Sequence, residues 1–133
     1  MLSYIRKVLK EKFNSISEYR GDNFLEFKLQ NKTFLIHWEQ SDPYVIRVYL
    51  PRIHAITPET DFAVKNIILE ICPKLCKSCI IKNDVFLYAD SVIPDTFYTE
   101  YMIRRLTDSL IEYQTKFNKE LNTRLQTYYN PQP

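Results

Sequence analysis

Apolar side chains recur along this chain with two different periods. In residues 2–13, Leu2, Ile5, Leu9 and Phe13 fall three and four positions apart, with lysines filling the other face. That is the stripe of a short amphipathic helix, which needs a surface to lie on. From residue 23 the period drops to two. Leu25, Phe27 and Leu29 alternate with Phe24, Glu26 and Lys28. After the turn Gln30-Asn31-Lys32, Phe34, Ile36 and Trp38 alternate with Leu35, His37 and Glu39. Beyond a break at Ser41-Asp42-Pro43, Tyr44, Ile46, Val48 and Leu50 alternate with Val45, Arg47 and Tyr49. The pattern predicts three strands, and their links are too short for a crossover, so they form an antiparallel meander.

Thr57-Pro58-Glu59 reads as a helix start: the Thr57 hydroxyl caps free amides, Pro58 has no amide to leave unpaired, and Glu59 suits the positive end. The helix is expected to reach about residue 71, burying Phe62, Ile67 or Ile68, and Ile71, before Pro73 stops it. Residues 79–82 and 85–90 then flank Asn83-Asp84, a hairpin signal that adds two strands. From Asp95 the helical period returns, with Ile103, Leu106, Leu110, Tyr113, Phe117, Leu121 and Leu125 spaced three or four apart. Unbroken to about residue 127, this helix would be roughly 50 Å long, so part of it is expected to project or pair. Its Tyr98, Tyr101, Tyr113, Tyr128 and Tyr129 read as core anchors or as a dimer seam, with core packing favoured in the first half of the helix and contact in the second. The expected architecture is a single α+β domain over residues 1–127. It has an antiparallel sheet of about five strands in the order α-βββ-α-ββ-α, followed by a mobile tail at 128–133.

Composition narrows the function more than it names it. The 133 residues suit one domain, and 45% hydrophobic content allows a real core. A single glycine, Gly21, excludes the glycine-rich loops that cradle phosphates. A net charge of +2 with scattered basic residues is too mild for a dedicated nucleic-acid binder. No stretch approaches the ~18 uncharged residues of a membrane span, and charges interrupt any signal-peptide core at the amino terminus. Three clustered cysteines fit a reducing compartment, so a cytoplasmic location is expected.

The element order resembles the type III secretion chaperone-like fold and, within it, the YbjN family of small bacterial proteins. The carriers are the meander Phe24-Leu25-Glu26-Phe27, Phe34-Leu35-Ile36-His37-Trp38 and Val45-Ile46-Arg47-Val48-Tyr49. The helix around Ala63-Val64-Lys65-Asn66 and the hairpin Cys79-Ile80-Ile81 to Val85-Phe86-Leu87-Tyr88 complete them. The similarity spans residues 2 to about 121 by spacing and order rather than by a fingerprint motif. The near-absence of glycine at the turns and the cysteine cluster depart from the family pattern. The resemblance implies a homodimer without catalytic residues or cofactor that binds segments of other proteins.

Two sets of residues stand out as candidate sites. Cys72, Cys76 and Cys79 have the Cys-x-x-x-Cys-x-x-Cys spacing of radical S-adenosylmethionine enzymes. Those enzymes need a partial barrel larger than this chain. A zinc site completed by His37 or His54 lacks the usual paired knuckles, and buried structural cysteines are the plainer account. A metal or redox protein built on these sulfurs is therefore the alternative reading. The second set is a sheet face carrying Phe24, Leu35, Val45, Arg47 and Tyr49, interleaved with Lys28 and His37. If the helices leave this face bare, its composition marks a protein-partner site. Neither His37 nor His54 has a recognisable nucleophile beside it, and Glu26, Glu39, Asp42, Asp84 and Asp90 read as ordinary strand-edge or turn carboxylates.

Overall fold

A computed structural model describes residues 1–39, 44–71 and 75–129, with backbone alone for 128 and 129. The first helix, α1 (Leu2–Phe13), buries Leu2, Ile5, Val8 and Leu9. It ends where Asn14 turns into the left-handed region (φ 52°) and the Ser15 N–H donates to the Leu9 carbonyl at 3.0 Å. Six strands follow: β1 (Ser17–Tyr19), β2 (Phe24–Leu29), β3 (Lys32–Glu39), β4 (Tyr44–Ala55), β5 (Cys76–Ile81) and β6 (Asp84–Ile93). They form one sheet in the order β1-β2-β3-β4-β6-β5, every neighbouring pair antiparallel. Helices α2 (Asp61–Glu70) and α3 (Thr99–Tyr129) complete the domain, with a 3-10 turn at Thr96–Tyr98 leading into α3.

The sheet thus has six strands rather than five. The extra one, β1, has three residues and no apolar alternation; it exists because its backbone pairs with β2, Ser17 opposite Phe27. The strand β4 runs on through Pro51 to Ala55, past the expected end at Leu50. A bulge between Leu50 and His54, with Arg52 at φ 52°, puts the proline where the ladder asks for no donor. In the β5–β6 hairpin the turn residues are Lys82 and Asn83 (φ 49° and 65°) rather than Asn83-Asp84, and β5 begins three residues earlier than expected. Gln30 and Asn31 (φ 51° and 62°) make the matching turn between β2 and β3. Both hairpins therefore use the two left-handed residues that fit strand twist, with asparagine in glycine's usual place.

The start of α2 is also displaced. Residues 57–60 form a separate turn in which the N–H groups of Thr60 and Asp61 both donate to the Thr57 carbonyl (3.0 and 2.9 Å), so Thr60 rather than Thr57 precedes the helix. Its buried face is Ala63, Val64 and Ile67, whereas Phe62 is 69% exposed. The Ser41-Asp42-Pro43 break, Pro73 and residues 130–133 of the expected tail lie outside the described residues, while α3 runs on to Tyr129.

All three helices contribute to a single core. Ile103, Leu106, Leu110, Tyr113, Phe117 and Leu121 of α3 join the buried residues of α1 and α2 against Leu25, Phe27, Phe34, Ile36, Ile46, Val48, Leu50, Val85, Leu87 and Ala89. At 31 residues α3 is about 46 Å long. Its second half does not project but packs on α2, where Arg124 pairs with Glu70 and with Glu120. Tyr113 is buried, whereas Tyr98 and Tyr101, expected in the core, are exposed; the side chains of Tyr128 and Tyr129 lie outside the described residues.

Candidate functional site: the open face of the sheet

The buried strand residues share one parity, and that parity decides which face the helices cover. The other face holds Phe24, Glu26 and Lys28 of β2, Leu35, His37 and Glu39 of β3, and Val45, Arg47 and Tyr49 of β4. It continues through Phe86, Tyr88 and Asp90 of β6 to Lys77 and Cys79 of β5. All are half-buried or exposed, and none is buried. The five candidate residues Phe24, Leu35, Val45, Arg47 and Tyr49 therefore lie together on the face left open.

Register places these side chains in rows across the strands. One row runs Phe24, His37, Arg47, Asp90, and the next Glu26, Leu35, Tyr49, Tyr88, Lys77. Within the first row Phe24 stacks on His37 with ring centroids 4.7 Å apart. Between the rows Phe24 approaches Tyr49 at 6.3 Å, and within the second row Tyr49 approaches Tyr88 at 6.1 Å. Arg47 is the hub. Its Nη2 and Nε donate to Asp90 Oδ2 at 2.8 and 3.2 Å, and its guanidinium lies over the Tyr88 ring, 4.9 Å from the centroid. Tyr49 and then Asp90 hold Arg47 more firmly protonated than a free arginine. A fixed cation in an aromatic frame is the kind of anchor found at the centre of protein interfaces.

Tyr88 and Asp90 complete this cluster, although Asp90 reads from sequence as an ordinary strand-end carboxylate. The alternation of Val85, Leu87 and Ala89 with Phe86, Tyr88 and Asp90 was a usable signal for which face they occupy. The non-local pairing of β4 with β6 was not, because it brings together residues more than 40 positions apart.

The cysteines are arranged differently. Cys76 pairs with Ala89 on the covered face and is buried, whereas Cys79 pairs with Phe86 on the open face. The strand thus points these two sulfurs to opposite sides, and Cys72 lies outside the described residues. Among the described residues, no three His, Cys, Asp or Glu side chains gather as a metal site would need. Burial pushes the Cys76 thiol up to about 12 and raises that of Cys79 as well. His54, on the covered side, sits 6.0 Å from the Phe117 ring, with Nε2 3.2 Å from Thr60 Oγ1. Burial lowers its pKa.

Among the described residues, no helix is long and apolar enough to cross a membrane. Compared with protein-family models, with curated proteins and with solved structures, the chain matches none.

Proposed function

We propose that the chain is a non-catalytic binding module that holds a segment of another protein on the open face of its sheet, as a secretion-chaperone-like or YbjN-type protein would, and that it works as a cytoplasmic homodimer. The observation that carries this reading is the aromatic and charged surface centred on Arg47 that no helix covers. Three aromatic rings, Phe24, Tyr49 and Tyr88, supply contact area at low entropic cost, and Leu35 and Val45 supply apolar ground between them. A nucleic acid suits the face less well, because the carboxylates Glu26, Glu39, Asp84 and Asp90 outnumber Lys28, Arg47 and Lys77. For the dimer the support is the outer edge of β5, six residues without proline and with Ile80 and Ile81 exposed, a ready template for pairing with a second copy.

A photo-crosslinking amino acid at Tyr49, read in cells of the protein's source, tests the face. Covalent adducts to defined protein segments are expected, and Arg47→Glu should abolish them. Adducts to nucleic acid, or equal yield from a crosslinker at Lys119 on α3, would refute the reading. The dimer has its own test. The closing pair Ile81–Asp84 of the hairpin leaves the main-chain groups of Cys76, Ser78 and Ile80 facing outward. A symmetric antiparallel pairing centred on Ser78 then sets residue 77 opposite Cys79 of the second copy. Lys77→Cys should therefore give a disulfide-linked dimer under mild oxidation, and a monomer mass by light scattering would remove the homodimer.

A further inference from the structure

The opposite edge of the sheet carries a second surface of different chemistry. β1 is the edge strand there, and α1 packs beside it. Between them lies a cleft of about 580 Å³ whose walls include Arg6, Lys7, Lys10 and Glu11 of α1, Ile16 just before β1, and Ser17 at its start. The three cations outnumber Glu11, the carboxylate in the cleft walls. Arg20, Arg47, Lys65, Arg104, Lys116 and Arg124 all form ion pairs, but among the described residues Arg6, Lys7 and Lys10 enter none. Nor is the strand beside them satisfied. The Arg20 N–H donates to the Phe24 carbonyl at 2.9 Å. Because antiparallel bonding alternates, Glu18 also bonds to β2, and the main-chain groups of Ser17 and Tyr19 face away from it. Ser17 sits opposite buried Phe27 on the covered side, 3% exposed and with no partner for its Oγ, whereas Ile16 is 84% exposed.

We infer that this cleft binds an extended acidic segment of a partner protein, which adds to β1 as a further strand and sets its carboxylates against Arg6, Lys7 and Lys10. Main-chain bonds to Tyr19, the outward-facing residue of β1 that is exposed, fix the register. Arg6 lies over the Tyr19 ring at 5.3 Å, so α1 stands above the side to which Ser17 and Tyr19 point. Partner residues opposite those two positions therefore turn toward the cations, and the alternate residues meet Ile16. Three residues of strand give few hydrogen bonds, so charge carries much of the affinity. An anionic lipid surface fits less well, because the apolar stripe of α1 (Leu2, Ile5, Val8 and Leu9) is committed to the core, leaving Ile16 as the aliphatic side chain of the cleft free to insert. The inference does not depend on the open face.

The test uses the full isotope-labelled chain and three capped nonapeptides: one alternating valine and glutamate, its lysine counterpart, and the glutamate peptide N-methylated at alternate residues. The glutamate peptide is expected to shift the Tyr19 amide and slow its exchange. It should bind at least about tenfold more tightly than either other peptide, and weaken by about tenfold between 50 and 300 mM salt. Lys7→Glu with Lys10→Glu, both at exposed positions, should reverse the preference toward the lysine peptide, while Lys119→Glu leaves it unchanged. Absence of binding, equal affinity for the two charge types, or full affinity for the N-methylated peptide would overturn the inference. So would capture of phosphatidylserine vesicles by a chain that ignores the peptide.

Discussion

Phe34 and Leu35 are neighbours in β3 that point to opposite faces, and truncating each in turn tests both the fold and the openness of the candidate site. Phe34 is fully buried, with its ring stacked on Phe27 at 5.5 Å and an interplanar angle of 18°. Phe34→Ala removes that ring contact and leaves a cavity between sheet and helices, a loss of about 3–5 kcal/mol. Against a total stability of roughly 5–15 kcal/mol for a domain, this should lower the melting temperature by about 10–20 °C. Leu35 is half-buried beside Tyr49 and Glu26; Leu35→Ala removes only part of a side chain's burial, about 1 kcal/mol. Urea unfolding can be followed through Trp38, the single tryptophan, which packs at 5.4 Å from the Tyr44 ring. Both variants should shift the midpoint while the slope stays constant. A Leu35→Ala loss equal to that of Phe34→Ala, or one that grows with protein concentration, would show that the open face is covered in solution and would refute the assignment of faces.

Two further outcomes follow from buried titratable groups. Burial depresses the pKa of His54 below its ordinary 6.5, so as pH falls the unfolded chain takes up the proton first. Stability should therefore be unaffected by His54 above about pH 7 and decline as pH drops from 6.5 toward the folded-state value; the difference in urea midpoint between pH 7.5 and 5.5 should shrink in His54→Gln. In a Cys72→Ser background, a thiol reagent at pH 8 should leave Cys76, 2% exposed and shifted to about 12, unreacted until the chain unfolds. Cys79 should react slowly in the folded state, and equal rates at the two sulfurs would contradict the strand parity of β5.

Period-two and period-four patterns made most of the architecture legible, because burial acts on every second or every third and fourth side chain alike. The bounds of α1, the parity of β2, β3 and β4, and the buried stripe of α3 could be read this way. What escaped was set by backbone or by distant partners. β1 has no hydrophobic signature of its own, the bulge that carries Pro51 depends on β6, and the choice of Thr60 over Thr57 depends on a local turn. Phe62 has a core residue's chemistry but lies off the face formed by Ala63, Val64 and Ile67. The candidate face was legible as a set of residues, and its openness was not, since parity says which side chains point together and not where the helices dock. Arg47 with Asp90 and Tyr88 required the β4–β6 pairing.

The order in which the elements leave the ribosome gives α3 a further importance. All six strands precede it, yet it supplies much of the roof over β4, β5 and β6. During synthesis the side of the sheet bearing Ile46, Val48, Leu87 and Ala89 stays wet until the stretch from Ile103 to Leu121 has emerged. For that interval the nascent polypeptide exposes a sticky, strand-rich surface to its neighbours. A stalled product lacking α3 would be a substrate for holdase chaperones rather than a smaller version of the same protein.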